Sequence, residues 1–263
     1  MKSALTAALD QRRAAGLYRA RRVAHGPALP ARVVDGRALV SFASNDYLGL
    51  AGDARVREAF VAGAREYGVG AGAAHLLGGH CAVHHALEED LAAHVGRARA
   101  LLFSTGYMAN LGVAQALLGR HDVLCADRLN HASLVDAAAL SGARHLRYRH
   151  ADVAHARERL GQARPGARVL IATDAVFSMD GDLAPLPALA DLAADRGAWL
   201  MADDAHALGV LGPHGEGSAA HFGLGPDRLA VLMGTLGKAL GCFGAFVAGD
   251  AALIETLIQQ ART

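Results

Sequence analysis

The stretch RVLIATDAVFSMDGDLAPLPALADLAADRGAWLMADDAHA, Arg168 to Ala207, decides the fold class. It opens on the β-type run RVLIATDAVFS and closes on a second, AWLMADDAHA. Between them LPALADLAADRG repeats its apolar residues at the helical period. Strands apolar on consecutive positions have both faces covered, and a single helix between two of them makes the pair parallel. The stretch therefore predicts a parallel sheet with helices on both faces.

The same alternation extends in both directions. Upstream stand RALLFST, DVLCAD and HLRYRH, separated by the helical segments YMANLGVAQALLG, HASLVDAAALSG and VAHARERLGQAR. Downstream come LAVLMGT and then CFGAFVAGD, too close for a crossover helix, so this last strand is predicted to run antiparallel. Residues 1–50 carry an arginine-rich amphipathic helix, a small strand pair around ARVVDGRALVSF and the polar turn SNDYLGL. Two further helices, DARVREAFVAGAREYG and HCAVHHALEEDLAAHVG, flank a glycine-rich link. The chain ends in the helical pattern AALIETLIQQART, with no glycine or proline stop, as if in mid-architecture.

A hydrophobic fraction of 52% against 19% charged residues fits a globular chain with a covered interior. Lys plus Arg at 26 against Asp plus Glu at 25 gives no electrostatic case for nucleic acid or anionic membrane. Cys81, Cys125 and Cys242 are odd in number and widely spaced, which argues against a disulfide framework and fits a reducing, cytoplasmic setting. No apolar run approaches the ~20 residues of a membrane helix.

Chemistry gathers where strands end. In GTLGKALG, Gly234 to Gly241, a lone lysine stands among glycines. A phosphate loop would need glycine where Leu232 stands and Ser or Thr where Ala239 stands, so that reading fails. By itself Lys238 reads more readily as a solvated loop residue. Asp203 and His206 stand where an apolar strand runs into a loop, the usual ligand side of a parallel sheet. A buried acid there needs a partner, but a structural cap explains the pair equally well. STGYMAN turns from strand to helix at Gly106 and could offer free N–H groups to a phosphate, or be an ordinary turn. His75 and His80 suggest a metal, but no third ligand stands at a telling spacing, so no metal is expected. His84 and His85 read as surface or packing residues. What argues for function is the shared rim: Gly106, His131, Ser178, Asp203, His206 and Lys238 all fall at ends of successive predicted strands.

The stretches SNDYLGL, HHALEEDLA, ALLFSTGYMAN, DRLNHASLVDAA, FSMDGDLAPL, DDAHALGVLG and GTLGKALG, in this order over nearly the whole chain, resemble the α-oxoamine synthase family of pyridoxal-phosphate enzymes. The resemblance implies the fold type I architecture of aspartate aminotransferase: a mostly parallel seven-stranded sheet with helices on both faces, in a homodimer. It implies residues 1–50 as an N-terminal segment and 51–263 as the large cofactor-binding domain, the family's C-terminal small domain being absent from this chain. Lys238 would carry pyridoxal 5'-phosphate as a Schiff base, with the surrounding glycines leaving it room. Asp203 would pair with the ring nitrogen, His206 with the ring oxygen, and His131 would stack on the ring and touch substrate. Gly106 and Tyr107 would hold the cofactor at the helix start, Ser178 and Thr235 would fix its ring oxygen and phosphate, and Arg19 would lie near the acyl substrate.

The implied reaction is a decarboxylating condensation of L-alanine with a pimeloyl thioester of coenzyme A or acyl carrier protein. One departure concerns GAGAAHLLGGH, where relatives often carry GSGGS and a small or basic residue; His75 takes that last place. Sibling activities share the cofactor residues: glycine C-acetyltransferase, 5-aminolevulinate synthase and the long-chain acyl type. A non-catalytic partner subunit would tend to lose the lysine, which this chain keeps.

Overall fold

The computed structural model describes residues 1–262, which form two compact units, one of residues 1–44 and one beginning at Asn45. The smaller holds helix α1 (Lys2–Ala14) and a three-stranded antiparallel sheet of β1 (Ala24–His25), β2 (Ala31–Val34) and β3 (Arg37–Val40). β2 and β3 form the anticipated pair; the two-residue β1 was not foreseen. Asp35 and Gly36, at φ 49° and 76°, make their connection, since a two-residue hairpin turn that follows strand twist needs positive φ at both positions. The sequence places the boundary after residue 50, whereas Asn45–Leu50 packs with the larger unit.

The larger unit contains helices α2 (Ala54–Tyr67) and α3 (Ala82–His94) and then the seven-stranded sheet. Its strands are β4 (Arg99–Phe103), β5 (Val123–Asp127), β6 (Arg144–Tyr148), β7 (Val169–Asp174), β8 (Trp199–Asp203), β9 (Val231–Thr235) and β10 (Ala245–Gly249), in the order β4-β10-β9-β8-β7-β5-β6. β5 through β9 pair in parallel, and β10 runs antiparallel to both β9 and β4, as the short link after Lys238 demands. The intervening helices are α4 (Gly106–Leu117), α5 (Ala132–Ser141), α6 (Val153–Leu160), α7 (Leu186–Arg196) and α8 (Ser218–Phe222), with α9 (Ala251–Gln260) following β10.

Alternation along the strands builds two core layers. Val123 and Cys125, Val169 and Ile171, Leu200 and Ala202, and Phe246 and Ala248 pack with α3, α6 and α7. Leu124 and Ala126, Leu170 and Ala172, Met201, and Ala245 and Val247 pack with α4, α5 and α9. Such strands must be apolar throughout, which is why their sequences read as unbroken runs. Among the described residues no helix is long and apolar enough to cross a membrane.

Candidate active site

The carboxyl ends of β5, β7, β8 and β9 and the first turn of α4 enclose a cleft of about 170 Å³ lined by Gly106, Tyr107, Asn110, His131, Asp174, Ser178, Asp203, His206, Thr235 and Lys238. Ligands in parallel α/β sheets collect at this edge because every strand there delivers its chain to a loop on the same side.

Lys238 stands three residues beyond β9 on a loop fixed by its own backbone. Thr235 Oγ1 donates to the Gly244 carbonyl at 3.0 Å and accepts from Gly237 N–H at 3.2 Å. Gly241 N–H donates to the Lys238 carbonyl at 2.9 Å. The glycines, expected to clear space for a cofactor, divide by role. A Cβ on Gly234 would lie 2.6 Å from the Phe246 ring, and one on Gly241 would run into the Ala51 backbone, so both serve packing. Only Gly237 stays free of close neighbours, the nearest atom being 3.6 Å away.

Lys238 Nζ lies 2.7 Å from His206 Nε2, and His206 Nδ1 lies 2.6 Å from the Tyr47 hydroxyl. Burial depresses the Lys238 pKa, against the pull of Asp203 and Asp174. Burial, and then the Lys238 and His131 charges, bring His206 down to about 4. Both shifts go toward the neutral amine and neutral imidazole that a carbonyl-reactive lysine requires.

Asp203 ends β8 fully enclosed. Its carboxylate accepts from Asn110 Nδ2 at 2.8 Å and from Ala205 N–H at 3.0 Å. Asp174, its register partner at the end of β7, is buried as well and accepts from His131 N–H at 3.2 Å. Burial, and for Asp174 also the charge of its neighbour, raises the pKa of each. Two buried carboxylates side by side create a place where a cationic N–H is strongly favoured. Asn110 Oδ1, enclosed there without a partner, marks the same polar pocket.

His131 caps α5, its Nδ1 lying 2.7 Å from Ser133 Oγ and accepting from Ser133 N–H. Gly106 opens α4, where Thr105 Oγ1 accepts from Met108 N–H; a Cβ on Gly106 would meet Met233 at 3.4 Å. The Tyr107 hydroxyl donates to Asp136, and Tyr107 lines the cleft. Ser178 is exposed at the rim. Arg19 lies in the smaller unit, after α1.

The sequence reading missed the cleft residues Asn110 and Ser133, which sit inside helices, and Asp174, which ends β7 as Asp203 ends β8, as well as Tyr47 of SNDYLGL, which reaches His206. Elsewhere, the third metal-type ligand that spacing did not supply for His75 and His80 is present in the structure as His84, with Glu88 close to His80.

Residues 37–263 match the family described as aminotransferase class I and II. The chain belongs to this family. Among curated relatives it is 63% identical over 97% of its length to an 8-amino-7-oxononanoate synthase of Thioalkalivibrio sulfidiphilus and 62% identical over 97% to one of Nitrosococcus oceani. It covers 65% and 67% of those two proteins, so it spans about two thirds of the length of the relatives it matches. A serine palmitoyltransferase from S. paucimobilis, solved with a bound pyridoxal phosphate–myriocin aldimine, superposes with a TM-score of 0.90 at 29% identity. That match covers 98% of this chain and 65% of the other. The 8-amino-7-oxononanoate synthase of Francisella tularensis superposes with a TM-score of 0.71 at 33% identity, covering 83% of this chain and 60% of its own. The fold is thus that of fold type I transferases, as expected.

Proposed function

We propose that the protein is a pyridoxal-phosphate-dependent acyltransferase that condenses L-alanine with a pimeloyl thioester, releasing 8-amino-7-oxononanoate, carbon dioxide and the free thiol of coenzyme A or acyl carrier protein, in biotin biosynthesis. The observation that carries the reading is the gathering in one cleft of a partly desolvated Lys238 and the buried pair Asp174 and Asp203. Neither carboxylate forms a salt bridge among the described residues, Lys238 supplies an amine, and Asn110 Oδ1 has no partner among them, so the residues fit the cofactor. When bound, pyridoxal phosphate supplies an aldehyde for amines and a protonated ring that withdraws electrons.

Lys238 Nζ would hold the aldehyde carbon and, once displaced by the amino acid, take the proton from the amino acid's α-carbon. Asp203 would keep the ring nitrogen protonated, and Asn110 and Ala205 N–H would keep Asp203 aimed. His206, shared between Lys238 and Tyr47, would hold the ring oxygen. His131, its backbone fixed by Asp174, would cover the ring face and meet substrate. Gly106, Tyr107, Ser178 and Thr235 would hold the remaining cofactor atoms, and Arg19 the acyl substrate. The enzyme would work in the cytoplasm as a homodimer, which would bury exposed apolar side chains such as Leu77 and Phe243.

The serine palmitoyltransferase superposition supports a sibling reading with another amino acid and a longer acyl chain. Identity of about 60% to the curated 8-amino-7-oxononanoate synthases, against 29% there, favours alanine and pimeloyl. The deciding experiment supplies the cofactor-loaded protein with alanine, glycine or serine and follows thiol release from pimeloyl, acetyl and palmitoyl thioesters. Release with alanine and pimeloyl alone supports the proposal; release with serine and palmitoyl alone replaces it.

A further inference from the structure

The link between α2 and α3 folds back on itself through a single 3-10 turn, His75–Leu77, and Gly78 at φ 99°. That reversal brings His80 onto His75, and the start of α3 adds His84. One ligand atom from each of the three histidines lies within 4.8 Å of those of the other two. The Nδ1 atoms of His75 and His80 are 3.2 Å apart, and the His75 and His84 rings are centred 4.8 Å apart. A tetrahedral zinc ion with bonds of about 2.1 Å sets its nitrogen ligands about 3.4 Å from one another. The first pair already stands close to that edge length.

The surroundings suit ligation. His80 Nε2 faces Glu88 Oε2 at 4.0 Å and His85 Nδ1 at 3.4 Å. Glu88 is itself anchored, accepting from Leu102 N–H on β4 at 2.9 Å. An imidazole ligand whose other nitrogen faces a carboxylate is the common outer arrangement of metal sites. His84 Nδ1 accepts from Cys81 N–H at 3.3 Å and lies 3.2 Å from Cys81 Sγ, so ligation through Nε2 requires the ring proton to move to Nδ1 and be donated to the sulfur.

We propose that His75, His80 and His84 form a binding site for a divalent transition metal of the zinc class, tetrahedral with solvent in the fourth position, which clamps the 68–81 link onto α3. Three imidazoles select zinc, cobalt or nickel over magnesium and calcium, which require oxygen ligands. His75, His80 and His84 are not among the residues that line the Lys238 cleft.

The test uses untagged protein carrying its cofactor, stripped with a chelator and dialysed. Cobalt(II) is titrated in and followed by its visible absorption, zinc by calorimetry, and protease cleavage within 68–81 is compared with and without zinc. The proposal expects one ion per chain, the intense absorption of tetrahedral cobalt, and slower cleavage with zinc. It expects affinity to fall at least tenfold in each of His75→Asn, His80→Asn and His84→Asn, and to stay unchanged in His121→Asn, two residues before β5 and outside the cluster. Far-UV circular dichroism reports whether each variant folds, and Glu88→Gln provides a milder change expected to weaken binding several-fold. Weak octahedral absorption, or a triple His75, His80 and His84 variant that binds as well as the parent, overturns it.

Discussion

Asp203→Asn and Asp204→Asn are adjacent, isosteric changes in two buried carboxylates, and the structure separates their consequences. Asp203 faces the cleft, while Asp204 accepts from Ser218 N–H at 2.7 Å and from the Ser218 hydroxyl, away from it. In Asp204→Asn the amide oxygen keeps the Ser218 N–H bond, and the amide nitrogen donates to a hydroxyl free to rotate. In Asp203→Asn the oxygen keeps Ala205 N–H, and Asn110 can turn its amide so that Oδ1 accepts from the new nitrogen, at the cost of the Nδ2 bond to Ser133 Oγ. Each rearranged bond is worth about 1 kcal/mol, and the second change also relieves Asp174 of a buried like charge, so both variants should melt within a few degrees of the parent. Their chemistry should differ sharply. Asp203→Asn removes a charge-assisted hydrogen bond of about 1.5–3 kcal/mol to the cofactor ring, about 10- to 150-fold in cofactor affinity. Turnover should fall further, by about 100-fold or more, because the ring withdraws electrons well only while its nitrogen is protonated. Asp204→Asn should stay within about threefold of the parent. Cofactor affinity by fluorescence quenching, thiol release and thermal melts measure all three quantities. Equal losses in the two variants, or near-parent turnover in Asp203→Asn, would refute the reasoning.

Borohydride reduction of the cofactor-loaded protein should fix pyridoxal phosphate on Lys238, read by peptide mass spectrometry, and Lys238→Ala should abolish the adduct; label on another lysine would contradict the assignment. Gly234→Ala should cost about 1–3 kcal/mol by overpacking against Phe246, whereas Gly237→Ala should melt like the parent and lower only cofactor affinity. Burial raises the Asp204 pKa from 3.8 to about 7, so the native state binds the extra proton and this group's stabilisation is lost as pH rises through that window. His206, lowered from 6.5 to about 4, acts oppositely: its contribution is present above 6.5 and is lost as pH falls toward 4. The stability difference between Asp204→Asn and the parent, measured by denaturant titration, should therefore grow in the variant's favour from pH 4 to 7, and a flat difference would contradict the burial argument.

The inner strands were legible because burial on both faces leaves them almost no polar positions before their ends, so the ends show where polarity returns. That return marked Asp203 and Lys238. Asp174 ends its strand in the same way, yet its importance depends on register: it matters because β7 and β8 set it directly beside Asp203. Asn110 and Ser133 lie within helices whose burial patterns match any packed helix, and their roles exist only where α4 and α5 converge on Asp203. Tyr47 is still further removed, since a turn 159 residues away in sequence supplies the hydroxyl at His206. The histidines show the same limit from the other side. Their spacing, five residues from His75 to His80 and four from there to His84, fits no ligand pattern until the 3-10 turn reverses the chain. Composition and periodicity report what each element buries, whereas a site is defined by what different elements bring together. Burying Asp174 beside Asp203 with one half-buried amine nearby is a poor arrangement for stability alone, because burial raises the cost of ionising both and the Asp203 charge adds to that of Asp174. It would become a good arrangement with a cationic ring N–H held by Asp203, and that conflict between folding and binding is the strongest physical sign that the cleft was built for a ligand.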